Sequence, residues 1–173
     1  MVLTQDRASK GGAYRAGGMT LMIACGVILA ALAFQHIGGY VPCPLCLQQR
    51  YAYYTGIPLL FLALVLVSIG RPRIAALVFF LVAIAFLGNA MLGTYHAGAE
   101  WKFWPGPEGC SGTDGPPLSV EDLAKGLAAE TGARCDEPQW RFAGLSFAGW
   151  NVVMSVGLFL SALTAAFRAA EKR

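Results

Sequence analysis

The stretch from Cys43 to Arg50 reads Cys-Pro-Leu-Cys-Leu-Gln-Gln-Arg and lies between two long apolar runs. Pro44 suits the first position of a helix, which would place Cys46 in the first turn. Free backbone N–H groups and the positive end of the helix dipole then favour a thiolate at Cys46. Arg50, four residues later, would share its helical face. The pattern is typical of a reactive cysteine, and it favours a redox dithiol over half a metal site or an inert pair.

The composition of the chain predicts an integral membrane protein. Of its 173 residues, 56% are hydrophobic and only 13% are charged, about half the charged fraction of a soluble domain. The charges are also absent from long stretches, as a bilayer core requires. There is no basic patch with interleaved aromatic residues, so the sequence argues against nucleic acid as a partner.

Four uncharged segments are each about as long as the ~20 residues that a helix needs to cross a bilayer. We therefore predict an all-α fold, a bundle of four transmembrane helices in one membrane domain covering residues 1–173. The predicted spans are residues 19–38, 51–69, 74–95 and 145–167. Residues 1–18 are predicted to be a polar tail, residues 39–49 a short loop and residues 97–146 a long loop.

The distribution of lysine and arginine predicts the orientation of the bundle. Eight of these residues lie in the two terminal segments and in the turn at residues 70–73, and five lie in the other two loops among eight acids. The positive-inside rule then places both termini in the cytoplasm and the loops 39–49 and 97–146 on the outer side. Four cysteines would lie on that oxidising side, where disulfides persist.

The long loop contains the pattern Ser119-Val120-Glu121-Asp122, which is typical of a helix N-terminus. A short amphipathic helix is therefore predicted over residues 119–130. It could pack on its own loop or lie on the bilayer surface. Tryptophan and phenylalanine residues cluster near the ends of the third and fourth spans, and an aromatic belt at the membrane interface explains them without a cofactor.

Cys110 and Cys135 are the second cysteine pair, in the long loop. They could form a structural disulfide, worth about 3–4 kcal/mol by loop-closure entropy, or a second redox pair that exchanges with Cys43 and Cys46. The C-x-x-C on the same side favours exchange. Zinc would require two short cysteine units, and only one is present, so no metal site is expected. Cys25 lies inside a span, where a lone cysteine is typically a small apolar side chain.

Several polar side chains lie in or near the predicted spans. His36 and His96 fall near outer ends, where histidines are often hydrogen-bonded fillers; His96 gains weight because the outer helix ends are expected to meet near Arg50. Asn89 and Asn151 are predicted to form hydrogen bonds between helices.

These residues together resemble the DsbB family, the quinone-reducing membrane oxidases of bacterial disulfide formation. The resemblance covers nearly the whole chain, and the two cysteine pairs with the arginine are its specific part. It is carried by Phe34-Gln35-His36, Cys43-Pro44-Leu45-Cys46 with Gln49-Arg50, His96, Cys110, and the run from Cys135 to Trp150.

The resemblance implies a protein-disulfide:quinone oxidoreductase of the bacterial inner membrane, with both loops periplasmic. The partner would be a reduced periplasmic thioredoxin-like (DsbA-like) thiol oxidase, whose thiolate attacks a Cys110–Cys135 disulfide at Cys110. Cys135 would then exchange with Cys43, which leaves Cys46 as a thiolate that passes electrons to ubiquinone or menaquinone. Arg50 and His96 would bind the quinone oxygens.

Two other functions are compatible with the residues alone. The chain could be a membrane scaffold whose disulfides only brace the outer loop. It could also be a four-helix quinone reductase of the vitamin K type that uses the same C-x-x-C. Trapping of free thiols with and without respiration would separate an oxidase from a scaffold, because a brace stays oxidised.

Overall fold

Four long helices form a bundle in the computed structural model, which describes residues 2–106 and 134–171, the first nine of them by backbone only. The helices in that part of the chain are α1 (Val2–His36), α2 (Pro44–Ser68), α3 (Pro72–Glu100) and α4 (Phe147–Ala170). Each helix packs against the next, and α4 packs against α1, which closes the bundle. Each contains a segment long and apolar enough to cross a membrane, so the predicted four-span, all-α fold is confirmed.

The bundle carries apolar side chains on its outside as well as in its core. Phe79 and Phe86 are fully buried between the helices, whereas Met22 is 73% exposed and Phe61 62% exposed. A soluble protein rarely exposes an apolar surface of this extent. The outer surface is therefore suited to lipid, and packing between the helices forms the core.

Helix α2 begins at Pro44, earlier than the predicted span at residue 51. Cys43 is its N-cap, and the Cys43 Sγ accepts a hydrogen bond from the backbone N–H of Cys46 at 3.2 Å. Pro44 occupies the first helical position, where its missing N–H costs nothing. Residues 44–49, predicted as loop, are thus helical. The predicted span was placed by its apolar residues, which show where a helix crosses the membrane, whereas the N-cap determines where the helix begins.

The connection between α2 and α3 is the tight turn predicted at residues 70–73. Gly70 has a φ of +75°, and the N–H of Arg71 bonds to the carbonyl of Leu66 at 2.8 Å. A glycine with positive φ after a helix is a common C-terminal stop. Pro72 then starts α3, and α2 itself runs unbroken through Pro58.

The other helices also differ from the predicted spans at their ends. Helix α1 begins at Val2, so the segment predicted as a polar tail is helical. Helix α3 continues to Glu100 instead of ending at 95, and α4 covers Phe147–Ala170 instead of 145–167. The extra turn of α3 places both His96 and Glu100 on the helix.

A short hairpin precedes α4, within the predicted loop 97–146. Its strands β1 (Arg141–Phe142) and β2 (Leu145–Ser146) are antiparallel. Ala143 and Gly144 have φ values of 50° and 82°, as a two-residue type I′ turn requires. Ser146 then caps α4 by accepting from the N–H of Gly149 at 3.2 Å. Cys110 and the predicted helix at residues 119–130 lie outside the described residues.

Candidate active site

Three of the four cysteines predicted to be catalytic meet at the N-terminus of α2. Cys43 and Cys46 carry free thiols, with their sulfurs 2.6 Å apart. Cys135 is fully buried and disulfide-bonded. The Cys43 sulfur, a His96 ring nitrogen and the Cys135 sulfur all lie within 4.8 Å of one another. Both predicted redox pairs are therefore represented at one place.

The two thiols of the C-x-x-C have different roles in their mutual hydrogen bond. The Cys43 thiol donates to the Cys46 sulfur. This hydrogen bond, followed by burial, raises the pKa of the Cys43 thiol above its ordinary value. Cys43 thus holds the shared proton, and the Cys46 sulfur is the acceptor. The thiolate at Cys46 stays a prediction, and it requires this arrangement of donor and acceptor.

His96 lies in the last turn of α3 and is 2% exposed. Its Nδ1 is 2.9 Å from the Gln49 side-chain nitrogen, and its Nε2 is 3.6 Å from the Cys43 sulfur. The same Nε2 is 3.8 Å from a Glu100 oxygen. His96 is therefore placed beside the thiol by α2–α3 packing, and it is more than an interfacial filler.

A network of amide and hydroxyl side chains from α2, α3 and α4 holds Gln49 against the histidine. Asn151 of α4 donates to the Gln49 oxygen at 2.6 Å, and Tyr53 donates to the Asn151 oxygen at 2.9 Å. Asn89 of α3 donates to Ser155 of α4 at 2.9 Å. The predicted hydrogen bonds of Asn89 and Asn151 between helices are confirmed.

Glu100 is a site residue that the sequence analysis missed. It is 8% exposed, and the Ser146 hydroxyl donates to its carboxylate. In the sequence it was only one of the acidic residues assigned to the long loop. Its spacing of four residues from His96 was the available signal, because such a pair shares one face of a helix.

A cavity of about 410 Å³ opens beside the C-x-x-C. Arg50 lines it, half-buried, and donates a hydrogen bond to the side-chain oxygen of Gln35 on α1. Cys46, His96 and Glu100 also reach its wall. Its apolar lining includes the residues Val27, Ile28, Ala31, Phe34, Trp140, Phe147 and Met154.

Aromatic rings form one side of this cavity. Trp140 stacks on Phe147 with ring centroids 4.8 Å apart, and Phe34 meets Phe147 edge to face at 5.1 Å. The side chain of Gln139 fixes this segment by donating to the carbonyl of Val41 at 2.9 Å. The tryptophan and phenylalanine residues near the span ends were predicted to form only an aromatic belt, but the segment before the hairpin brings Trp140 to the cavity.

The dimensions and chemistry of the cavity fit a quinone head group. Its volume lies in the range of small-molecule sites, with apolar walls and few polar groups. Aromatic rings can stack on a flat ring, and the Arg50 guanidinium can donate to carbonyl oxygens. A metal ion fits less well, because Cys135 is tied up in a disulfide and metal ligation requires a thiolate.

Comparison with known proteins gives matches over most of the chain. The family model described as "Disulfide bond formation protein DsbB" matches residues 15–165. A disulfide bond formation protein B from Xanthomonas campestris pv. campestris (strain 8004) is 35% identical over 90% of this chain and 91% of its own. A protein of the same name from Xanthomonas oryzae pv. oryzae (strain MAFF 311018) is 32% identical over 90% of this chain and 92% of its own. Another from Methylococcus capsulatus is 34% identical over 78% of this chain and 82% of its own.

Proposed function

The chain belongs to the DsbB family of disulfide bond formation proteins, and on that premise we propose that it re-oxidises a periplasmic thioredoxin-like thiol oxidase and passes the electrons to a membrane quinone. The family identifies a disulfide-forming membrane protein. The electron donor, the electron acceptor and the roles of individual residues are the proposal.

One observation carries the proposal: the Cys43 sulfur lies 2.6 Å from that of Cys46 and within 4.8 Å of that of Cys135, beside a cavity that suits a quinone. Thiol–disulfide exchange requires direct approach of one sulfur to another. Cys43 can meet either partner after a small movement. It is therefore suited to transfer the disulfide between the two pairs.

The proposed relay begins when a thiolate of the donor attacks a Cys110–Cys135 disulfide at Cys110, which releases Cys135 as a thiolate. Cys135 then attacks Cys43 of a Cys43–Cys46 disulfide. One S–S bond forms, one breaks, and Cys46 becomes the thiolate. Its place in the first turn of α2 stabilises that charge through the helix N-terminus.

The proposed acceptor site is the cavity beside Cys46. A bound quinone would supply the two-electron acceptor. Arg50 is held by Gln35 so that its guanidinium reaches the cavity wall, and we propose that it binds a quinone oxygen. His96 also lines the cavity and is proposed as a second, weaker contact.

The proposed location is the bacterial inner membrane, with both termini cytoplasmic and the C-x-x-C periplasmic. The four helices support a multi-pass protein. The excess of lysine and arginine in the terminal segments and the α2–α3 turn supports the orientation. This orientation would place the cysteines in the compartment where disulfides persist.

Purified full-length protein tests the function directly. In detergent or nanodiscs it should reduce a short-chain ubiquinone or menaquinone analogue when given a reduced thioredoxin-like protein, with one quinone consumed per disulfide formed. Cys46→Ala should abolish the reaction. A wild-type protein that consumes no quinone, and whose Cys43 and Cys46 stay reduced in respiring membranes, would leave a scaffold with structural disulfides.

A further inference from the structure

His96 lies between an amide and a carboxylate, and its surroundings determine which ring nitrogen carries the proton. The Gln49 oxygen accepts from Asn151, so the Gln49 NH₂ group is the one that faces His96 Nδ1. At the far end of this series of hydrogen bonds, the Asn151 oxygen accepts from Tyr53 and from Asn89, which leaves the Asn151 NH₂ group facing Gln49.

An NH₂ group only donates, so Nδ1 must be the unprotonated acceptor, and a neutral His96 then carries its proton on Nε2. Each group near Nε2 is an acceptor. The Cys43 sulfur is at 3.6 Å and a Glu100 oxygen at 3.8 Å, and the backbone carbonyl of Cys135 also interacts with the ring. The ring is 2% exposed, so water does not compete freely for this proton.

We propose that Gln49 acts as a positioning residue that holds His96 in the Nε2–H form, and that this N–H alternates between Cys43 and Glu100 during disulfide exchange. The proposal rests on the proposed function, because it assigns Cys43 to the exchange. While Cys43 is in a disulfide, its sulfur carries no charge and Nε2–H bonds to the Glu100 carboxylate. When Cys43 leaves as a thiolate, Nε2–H bonds to that sulfur.

The step that needs this donor is the release of Cys43 from a Cys43–Cys135 disulfide. The second thiolate of the protein donor first displaces Cys110 from their mixed disulfide, which forms the protein donor's disulfide. The Cys110 thiolate then attacks the Cys135 sulfur, a Cys110–Cys135 bond forms, and the Cys43–Cys135 bond breaks with its electron pair on Cys43. No electron or proton enters or leaves. The new charge arises in a buried place, and a hydrogen bond to a charged group is among the stronger ones in proteins.

Glu100 acts on the same site from the other side of Nε2. The Ser146 hydroxyl holds its carboxylate in place, and the carboxylate raises the pKa of the Cys43 thiol, after the larger effects of the Cys46 hydrogen bond and burial. Other charged or titratable groups that act on this site are Cys46 and Arg50 of α2 and Arg141 of β1. Removing the Gln49 donor should therefore raise the pKa of the Cys43 thiol, and removing the Glu100 charge should lower it.

The tautomer can be measured without a quinone. The chain has two histidines, and ¹⁵N-histidine labelling of the full-length protein reports which nitrogen is protonated. His36 is exposed, and its signals are identified by their loss in His36→Gln. The expected result is a His96 ring with the proton on Nε2 from pH 5 to 8. An Nδ1–H ring, or one that becomes imidazolium in this range, would overturn the proposal.

The second measurement is the alkylation rate of Cys43 against pH in a Cys25→Ala, Cys46→Ala background. Gln49→Met keeps the length of the side chain but loses the donor, so alkylation at a fixed pH should slow about tenfold. Glu100→Gln keeps an acceptor for Ser146 but removes the charge, so alkylation should become faster. Gln48→Met, the same change at an exposed neighbouring position, should have no effect.

Opposite changes in the alkylation rate cannot come from a general loss of structure, because that would change the rate of both variants in the same direction. If Gln49→Met does not fold, Gln49→Glu replaces it, because a carboxylate at Nδ1 should move the proton to that nitrogen. Equal rates in all variants would disprove the proposal. A wild-type protein that reduces no quinone would instead disprove the proposed function, so the two failures are distinguishable.

Discussion

Arg50 donates a hydrogen bond from its guanidinium to the side-chain oxygen of Gln35, which links α2 to α1 in the wall of the cavity. The bond aims a planar cation at the cavity and leaves other N–H groups of the guanidinium for a ligand. An arginine that only anchored the membrane interface would not require such a partner.

We expect Arg50→Gln to raise the apparent KM for quinone about tenfold, since a hydrogen bond from a charged donor would be lost. Arg50→Lys should be intermediate, because lysine keeps the charge but loses the planar fork. Steady-state quinone reduction measures both. Gln35→Met is the companion variant. It leaves Arg50 in place but removes the hydrogen bond that orients its guanidinium, so it should raise the KM for quinone less than Arg50→Gln does. An unchanged KM in Arg50→Gln would reduce Arg50 to an anchor.

Gly93 allows α3 and α4 to approach closely behind the active site. A Cβ at this position would lie 2.9 Å from a Val152 methyl group and 3.2 Å from the Asn151 amide nitrogen. We expect Gly93→Ala to destabilise the protein by about 1–3 kcal/mol through overpacking. It should also slow turnover, because Asn151 supports Gln49 and through it His96.

Gly88→Ala is the matched control for this prediction. Gly88 lies in the same helix, and a Cβ there would meet nothing within 4 Å. Alanine should be neutral or stabilising by up to about 1 kcal/mol, as in other helix interiors. Thermal unfolding in detergent compares the two. A Gly93→Ala variant as stable and active as Gly88→Ala would show that the helices move apart freely.

The sequence predicts the spans and the reactive end of α2 well, because both depend on local signals. Apolar runs mark the membrane crossings, and Pro44 after Cys43 marks a helix start. The side chains of the hydrogen-bond network around His96 come from α2, α3 and α4. These residues are far apart in the sequence, so no short motif predicts that they meet. Glu100 was missed for a related reason: α3 continues one turn beyond its apolar segment, so the residue belongs to a helix and not to a loop.

Asp136 links the end of α3 to the segment that carries Cys135. Its carboxylate lies 3.1 Å from the Arg134 side chain and 2.9 Å from that of Lys102. The hydrogen bonds from Arg134, followed by that from Lys102, lower the pKa of Asp136 from 3.8 to about 2. A lowered carboxylate pKa contributes stability that is complete above about pH 4 and is lost as the pH falls through about 2.

We therefore expect Asp136→Asn to be less stable than the wild type at neutral pH by up to about 2 kcal/mol, reduced by solvent screening of the exposed partners. The difference should disappear by about pH 2. Thermal midpoints of both proteins between pH 2 and 7 provide the measurement. A difference that is constant over this range would mean that the charge of Asp136 does not stabilise the segment.

The proposed orientation predicts which residues an external reagent can reach. In a background that carries Cys25→Ala, Cys43→Ala and Cys46→Ala, a membrane-impermeant thiol reagent added to intact spheroplasts should label an Ile37→Cys variant, whose position lies just after α1 and is 87% exposed. It should not label an Ile69→Cys variant in the α2–α3 connection, which is 65% exposed. Labelling of Ile69→Cys alone would reverse the orientation, and with it the proposed compartment of the active site.

The cysteine variants test the relay itself. Cys25 is a half-buried free thiol within α1, so Cys25→Ala should change turnover by less than about twofold. Replacing any of the other four by alanine should stop oxidation of the protein donor, because the exchange requires all four sulfurs.

A double variant, Cys110→Ala with Cys135→Ala, separates a relay from a structural disulfide. In a relay, this protein cannot accept electrons from the thioredoxin-like donor, yet a small dithiol that reaches Cys43 directly should still drive quinone reduction at a rate near that of the wild type. If Cys110 and Cys135 only brace the outer segment, the double variant should instead oxidise the protein donor and the small dithiol in the same proportion as the wild type. The ratio of the two rates is unaffected by a moderate loss of stability, since both depend on the same Cys43–Cys46 centre. It therefore isolates the step at which the disulfide passes from one pair to the other.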